Sequence, residues 1–165
     1  MIGTSAPQIV ELIMSDIAIH PLDPAVYAAQ IHQIMYNAYT IEAQLLGAGE
    51  DFYPLTRPLT DIATSPNRFI GYFKENQLLG VCELEPMEEG ALLIASTVVS
   101  PKAFRHGIAS AMLRYILEQH ANQPIWVSTA QDNHPAVRLY QKHGFIIQHH
   151  TTLPDGMVLV KLRST

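Results

Sequence analysis

The chain has 165 residues, which fits one globular domain, and 48% of them are hydrophobic against 15% charged. That composition supports a buried core and excludes a disordered tail, and a net charge of -5 argues against a dedicated nucleic-acid binder. No apolar run approaches the roughly 18 residues of a membrane span, and no basic segment followed by an apolar one marks the N-terminus, so neither membrane contact nor a secretory signal is expected. The single cysteine, Cys82, excludes an internal disulfide and every cysteine-pair metal motif. What remains is a cytoplasmic enzyme or binding protein.

In chain order, residues 1–14 read as an N-terminal extension of a single domain that takes in residues 1–165. Residues 15–20 alternate like a short strand. Asp23-Pro24 is an N-cap followed by proline at the first helical position, and a long helix runs from there to about Leu46, stopped by Gly47. Ile31, Ile34, Ala38, Ile41 and Leu45 form its apolar stripe, and Glu42 beside it reads as a solvated edge. Residues 47–66 combine glycines and prolines with Phe52, Tyr53, Leu55, Leu59 and Ile62, too much apolar surface for a solvated linker. They read as a packed loop with one short helix at 58–64, a candidate lid.

Residues 68–73 and 78–85 are predicted strands joined by the polar turn 74–77. Residues 91–99 are a continuous apolar strand suited to burial on both faces. Then follow a helix over 107–121, a strand over 125–129, a helix over 135–143 closed by Gly144, and a closing pair of strands at 145–150 and 157–162 around Pro154-Asp155-Gly156. Strand–helix alternation after residue 91 implies parallel pairing, and the hairpins on either side imply antiparallel pairing. The expected fold is α/β, with a mixed, mostly antiparallel sheet flanked by helices.

Two segments carry chemistry. In Val98-Val99-Ser100-Pro101-Lys102-Ala103-Phe104-Arg105-His106-Gly107-Ile108-Ala109 a strand ends, a basic loop follows, and a helix starts at a glycine. Free N–H groups at such a helix start hydrogen-bond phosphate oxygens, and a glycine lets a phosphate approach the backbone. Between residues 101 and 144 five basic side chains face two acidic ones, a balance of +3 in a chain that is otherwise acidic. This favours a polyanionic ligand there and leans toward a cationic one elsewhere. Taken alone, a loop like this is more often just a plain helix start. The second segment, Asn133-His134-Pro135-Ala136-Val137-Arg138-Leu139-Tyr140-Gln141-Lys142-His143-Gly144-Phe145, alone reads as a capped helix with Tyr140 as a packing aromatic.

Together, in this order and about 30 residues apart, the two segments resemble the GNAT acyl-CoA N-acetyltransferase superfamily. The first is similar to its V-x-P-x-x-[QR]-x-x-G-x-[GA] loop and the second to its N-x-x-A-x-x-L-Y-x-x-x-G-F segment. Phe104 stands where the family has Gln or Arg, with Arg105 next to it. The resemblance covers nearly the whole chain and implies a sheet with helices on both faces. It also implies acetyl-CoA as cosubstrate and transfer of its acetyl group to an amine. Val98 and Val99 would pair their backbone with the pantetheine arm. Phe104, Arg105, His106, Gly107, Ile108, Ala109 and Ser110 would wrap the pyrophosphate. Asn133 would contact the cofactor arm, and Tyr140 would sit beside the thioester sulfur.

A thiol titrates near about 8.5 and a phenol near about 10, so Tyr140 suits hydrogen-bond donation to the leaving sulfur better than early proton transfer. An alkyl ammonium, near about 10.4, must lose a proton before it attacks. Some family members place a glutamate on the strand before the phosphate loop. Here residues 91–99 hold no acid, and Glu83 or Glu85, on one face of the preceding strand, becomes the expected base, with Glu85 preferred. No cysteine lies in either segment, which points to direct transfer in a ternary complex. His149-His150 alternate across a strand and Cys82 reads as core, so no metal is expected. The acceptor is a small-molecule amine or a peptide or protein amine, and the chain a monomer or homodimer. A non-catalytic acyl-CoA sensor on the same fold, and a purely structural interaction domain, remain alternatives.

Overall fold

The computed structural model describes residues 16–165; the N-terminal extension and the first residue of the expected opening strand lie outside that range. Among the described residues seven strands form one sheet in the order β1-β2-β3-β4-β5-β7-β6. The strands are β1 (Ile17–Leu22), β2 (Arg68–Lys74), β3 (Gln77–Pro86), β4 (Leu92–Val99), β5 (Ile125–Ala130), β6 (Phe145–Thr152) and β7 (Val158–Ser164). The helices are α1 (Pro24–Leu46), α2 (Tyr53–Thr56), α3 (Leu59–Ala63), α4 (Ile108–Gln119) and α5 (His134–Lys142). Only β4 and β5 pair in parallel; every other pairing is antiparallel. None of the helices described is long and apolar enough to cross a membrane.

Local chemistry sets the long helix. The Asp23 carboxylate accepts the Ala25 N–H at 2.9 Å, Pro24 fills the first turn, and Gly47 closes the far end at φ 66°. The β2–β3 hairpin turns through Glu75 and Asn76, both left-handed, as a two-residue turn matched to strand twist requires. Residues 47–66 hold two helices where one was expected: Pro54 starts α2, and Pro58 caps α3.

Helices cover both faces of the sheet. On one face α4 and α5 bury Ile108, Met112, Leu113 and Tyr140 against Ile70, Cys82, Leu84 and Ile94. On the other, α1 and α3 bury Ile31, Met35 and Ile62 against Phe69, Val81 and Val98. At full burial each aliphatic side chain contributes about 1.5–3 kcal/mol, so these two layers supply most of the drive to fold.

The feature that shapes the site is a bulge in β4. Glu83 pairs with Ser96 and Leu84 with Ile94, which leaves Ala95 as the extra residue. A bulge reverses the alternation of side chains beyond it. Leu92 and Ile94 therefore face α4 and α5, whereas Ser96 and Val98 turn toward α1, and Thr97 and Val99 take the α4–α5 side. Immediately beyond the bulge the parallel pairing stops: β4 and β5 are bonded only from Leu92↔Ile125 to Ile94↔Val127. β4 runs on to Val99 and β5 to Ala130 with a wedge between them. The expectation that residues 91–99 are buried on both faces is corrected here. Ala95 is exposed and Ser96 and Thr97 are half-buried, because they line that wedge.

Candidate active site

One side of the wedge opens into a groove of about 510 Å³ bounded by the end of β4, the start of α4, the C-terminal half of α1 and the start of α5. Val98, Val99, Phe104, Arg105, Gly107, Ile108, Ala109, Ser110 and Asn133 all line it; of the other cofactor-binding residues expected, His106 is exposed outside it and Tyr140 lines the adjoining wedge. Ile41 and Leu45, read from sequence as core-facing, are 40% and 55% exposed and form the groove's apolar wall.

The loop at the groove's end has the backbone of an anion nest. Arg105 and Gly107 are left-handed, at φ 64° and 72°, with His106 between them at negative φ. Alternating hand of this kind curls successive N–H groups into a concavity, and the α4 dipole adds positive potential. No side chain caps α4, and a Cβ built on Gly107 meets nothing within 4 Å. An uncapped helix start facing open space, beside an Arg held in a costly conformation, fits a phosphate-bearing ligand.

The wedge itself is a cavity of about 270 Å³. Tyr140 reaches it from α5, buried edge-on against Phe145, and its hydroxyl donates to Thr97 Oγ1 at 3.2 Å. Burial pushes the Tyr140 phenol well above its ordinary range, only partly offset by the Thr97 bond. From the opposite face Tyr39 donates to Ser96 Oγ at 2.9 Å, and burial pushes its phenol up to about 12. Both hydroxyls are therefore protonated donors across the physiological range. Glu42 extends from α1 and accepts from Asn133 Nδ2 at 3.1 Å, while Asn133 Oδ1 accepts the Ala136 N–H at 3.3 Å and caps α5. The solvated-edge reading of Glu42 is thus corrected: it is partly buried, and burial raises its carboxyl above the usual range despite the Asn133 bond.

Glu83 and Glu85 lie on the α1 face, away from Tyr140, lining a neighbouring cavity of about 390 Å³ with Tyr39 and Ser96. Glu83 was expected, with Glu85, as a base for the amine. It is 2% exposed, gripped by Arg57 Nη1 at 2.6 Å and Nη2 at 3.0 Å and by Asn67 Nδ2 at 2.9 Å. Both oxygens of this carboxylate are thus committed to Arg57 and Asn67. Glu85 is exposed at the strand's end and does not line the wedge. Arg57→Ala would strand the Glu83 carboxylate in the interior. The expected cost is about 3 kcal/mol, the lower end for a broken buried pair, or a Tm lower by about 6–12 °C at this chain length, measured by thermal unfolding.

A fourth cavity, about 590 Å³, continues from the wedge past Leu46, Phe52, Leu153 and Met157. Asp51, Asp132 and Asp155 line it, and among the described residues no Lys, Arg or His does. Among the described residues no group of three or more His, Cys, Asp or Glu side chains is placed to hold a metal ion.

Tyr39, Ser96, Arg57 and Asn67 were missed in the sequence. Tyr39 sits one turn beyond the buried Met35 of α1, and Ser96-Thr97 interrupts an apolar strand. Those are the two signals that were available.

A split between a parallel strand pair, with an anion nest at one end, leaves a continuous space shaped for an extended anionic ligand. Residues 29–145 match the Acetyltransferase (GNAT) family, and the chain belongs to that family. It is 33% identical over 136 residues to UPF0157 protein YqkA of Bacillus subtilis (strain 168), covering 82% of this chain and 39% of that protein. It is 35% identical over 90 residues to peptidyl-lysine N-acetyltransferase YiaC of Escherichia coli (strain K12), covering 52% of this chain and 58% of that protein. The match thus spans less than two thirds of the length of either curated relative. YncA of Salmonella typhimurium, solved with its cofactor acetyl-CoA, has the same fold, at a TM-score of 0.67 and 14% identity over 90% of this chain and 92% of that one.

Proposed function

We propose that the chain is a single-domain acetyl-CoA-dependent N-acetyltransferase that acetylates a primary amine by direct attack in a ternary complex. The observation that carries this reading is the continuity of the groove, with its nest at Arg105–Gly107, into the wedge that holds Tyr140. The family membership and the acetyl-CoA bound by the YncA structure support the same cosubstrate.

The residues divide the work. The N–H groups at the start of α4 and Arg105 hold the pyrophosphate, and the unpaired edge of β4 at Val98 and Val99 offers backbone partners to the pantetheine arm. Acetyl-CoA supplies an acyl group already activated as a thioester. The amine nitrogen bonds to the acyl carbon, the carbon–sulfur bond breaks, and the sulfur leaves carrying negative charge. Tyr140, a phenol kept protonated by burial, donates a hydrogen bond to that sulfur.

The acceptor is a cationic amine. Asp51, Asp132 and Asp155 give the cavity leading into the wedge an uncompensated negative field, which concentrates ammonium groups at its mouth. The named activity of YiaC, on peptidyl-lysine, is of this class. The test is an acetyl-transfer screen over amino acids, polyamines, aminoglycosides and lysine- or N-terminal peptides, reading thiol release. Turnover confined to cationic amines, weakened by added salt, is the expected result. Tight acetyl-CoA binding without transfer to any amine would overturn the catalytic reading.

A further inference from the structure

We propose that Glu42 is the proton acceptor for the attacking amine, an inference that rests on the transferase reading above. Among the described residues Glu42 is the only carboxylate lining the wedge, and it also lines the groove, so it stands where the two cavities meet. It crosses from α1, on one face of the sheet, to Asn133 at the start of α5, on the other. One oxygen, Oε1, accepts the Asn133 bond; the second carries no hydrogen bond among the described residues.

The titratable groups that act on it from the packed elements are Tyr39 on its own helix and Tyr140 on α5, and Arg105 shares the groove lining without a contact to it. The two phenols are protonated, and no cation pairs with the carboxylate among the described residues. It contrasts with Glu83, both of whose oxygens are engaged by Arg57 and Asn67. Partial burial also raises the Glu42 carboxyl, bringing a weak base closer to the pH at which it must work.

The protons balance as follows. The ammonium gives one proton to Glu42, directly or through one water, and the neutral amine attacks. The nitrogen then sheds a second proton as the amide forms; that one ends on the departing sulfur as the thiol, and Glu42 releases its own to solvent.

Glu42→Gln and Glu42→Ala separate this role from simple support of Asn133, because Gln still accepts the Asn133 bond but takes up no proton. The expected result for Glu42→Gln is an unchanged Kd for acetyl-CoA and transfer slowed about 100-fold at neutral pH. Its pH–rate profile should climb toward the amine's own pKa instead of levelling. The assay uses the amine of the panel that the parent turns over fastest. A parental profile for Glu42→Gln, with only Glu42→Ala impaired through weaker acetyl-CoA binding, would show a positioning residue and overturn the proposal. So would the same profile shift in Glu85→Gln without one in Glu42→Gln. Failure of the parent to acetylate any amine would instead remove the transferase reading, and Glu42's role with it.

Discussion

Tyr140→Phe is expected to bind acetyl-CoA as tightly as the parent and to transfer its acetyl group about 100-fold more slowly, the loss typical of a donor aimed at developing negative charge. The ring stays: Phe keeps the edge-on contact with Phe145, so the fold and the wedge keep their shape. Only the hydroxyl and its bond to Thr97 go, and Thr97 Oγ1 retains the Cys82 thiol as a neighbour at 3.7 Å. The loss should sit at the lower end of general-acid effects because burial makes the phenol a weaker acid than usual, suited to donating a hydrogen bond rather than surrendering the proton. The protonated phenol is the working form and its pKa is raised, so parental activity should show no basic fall through the ordinary phenol range near about 10. Single-turnover measurement isolates the chemical step. An unchanged rate for Tyr140→Phe would remove the hydroxyl from the mechanism.

The parts of the fold legible in the sequence are those fixed by local chemistry. Asp23, Pro24 and Gly47 bound α1 by capping and backbone geometry within a few residues of each helix end, and the structure has the same limits. The groove was legible for the same reason: the nest, the helix start and the strand edge lie within 13 consecutive residues, Val98 to Ser110. The departures come from partners distant in sequence. Leu92 to Val99 carries no local mark of the phase reversal at Ala95, because a bulge exists only relative to the register of β3. Without it Ser96 would face α4 and α5, and Tyr39 would have lost its partner. Glu83 reads as a candidate base until Arg57, 26 residues upstream, is brought over it by α2 and α3. Glu42 reads as the flank of an amphipathic helix, and only the meeting of α1 with α5, 91 residues later, turns it inward. Ile41 and Leu45 were recognisable as apolar but not as a groove wall, since periodicity gives the face of a helix and not what lies opposite.

Gly107→Glu is expected to weaken acetyl-CoA binding on the order of a hundredfold, corresponding to about 3 kcal/mol for the charge-assisted hydrogen bonds forfeited at the nest. Two effects act together. The backbone at Gly107 is left-handed, φ 72°, where a side chain costs about 1–2 kcal/mol. The new carboxylate would also project into the open space beyond Gly107, the space a pyrophosphate would occupy, and repel it. Gly107→Ala separates the two, since it brings the backbone penalty and a methyl without the charge. Its expected signature is a lower Tm with affinity reduced several-fold less than in the Glu variant. Titration calorimetry at two salt concentrations completes the test, because repulsion between the carboxylate and a phosphate is screened by salt and the gap between the two variants should narrow as salt rises. Gly107→Glu binding acetyl-CoA as tightly as the parent would show that the start of α4 does not hold the phosphates, whatever else lines the groove.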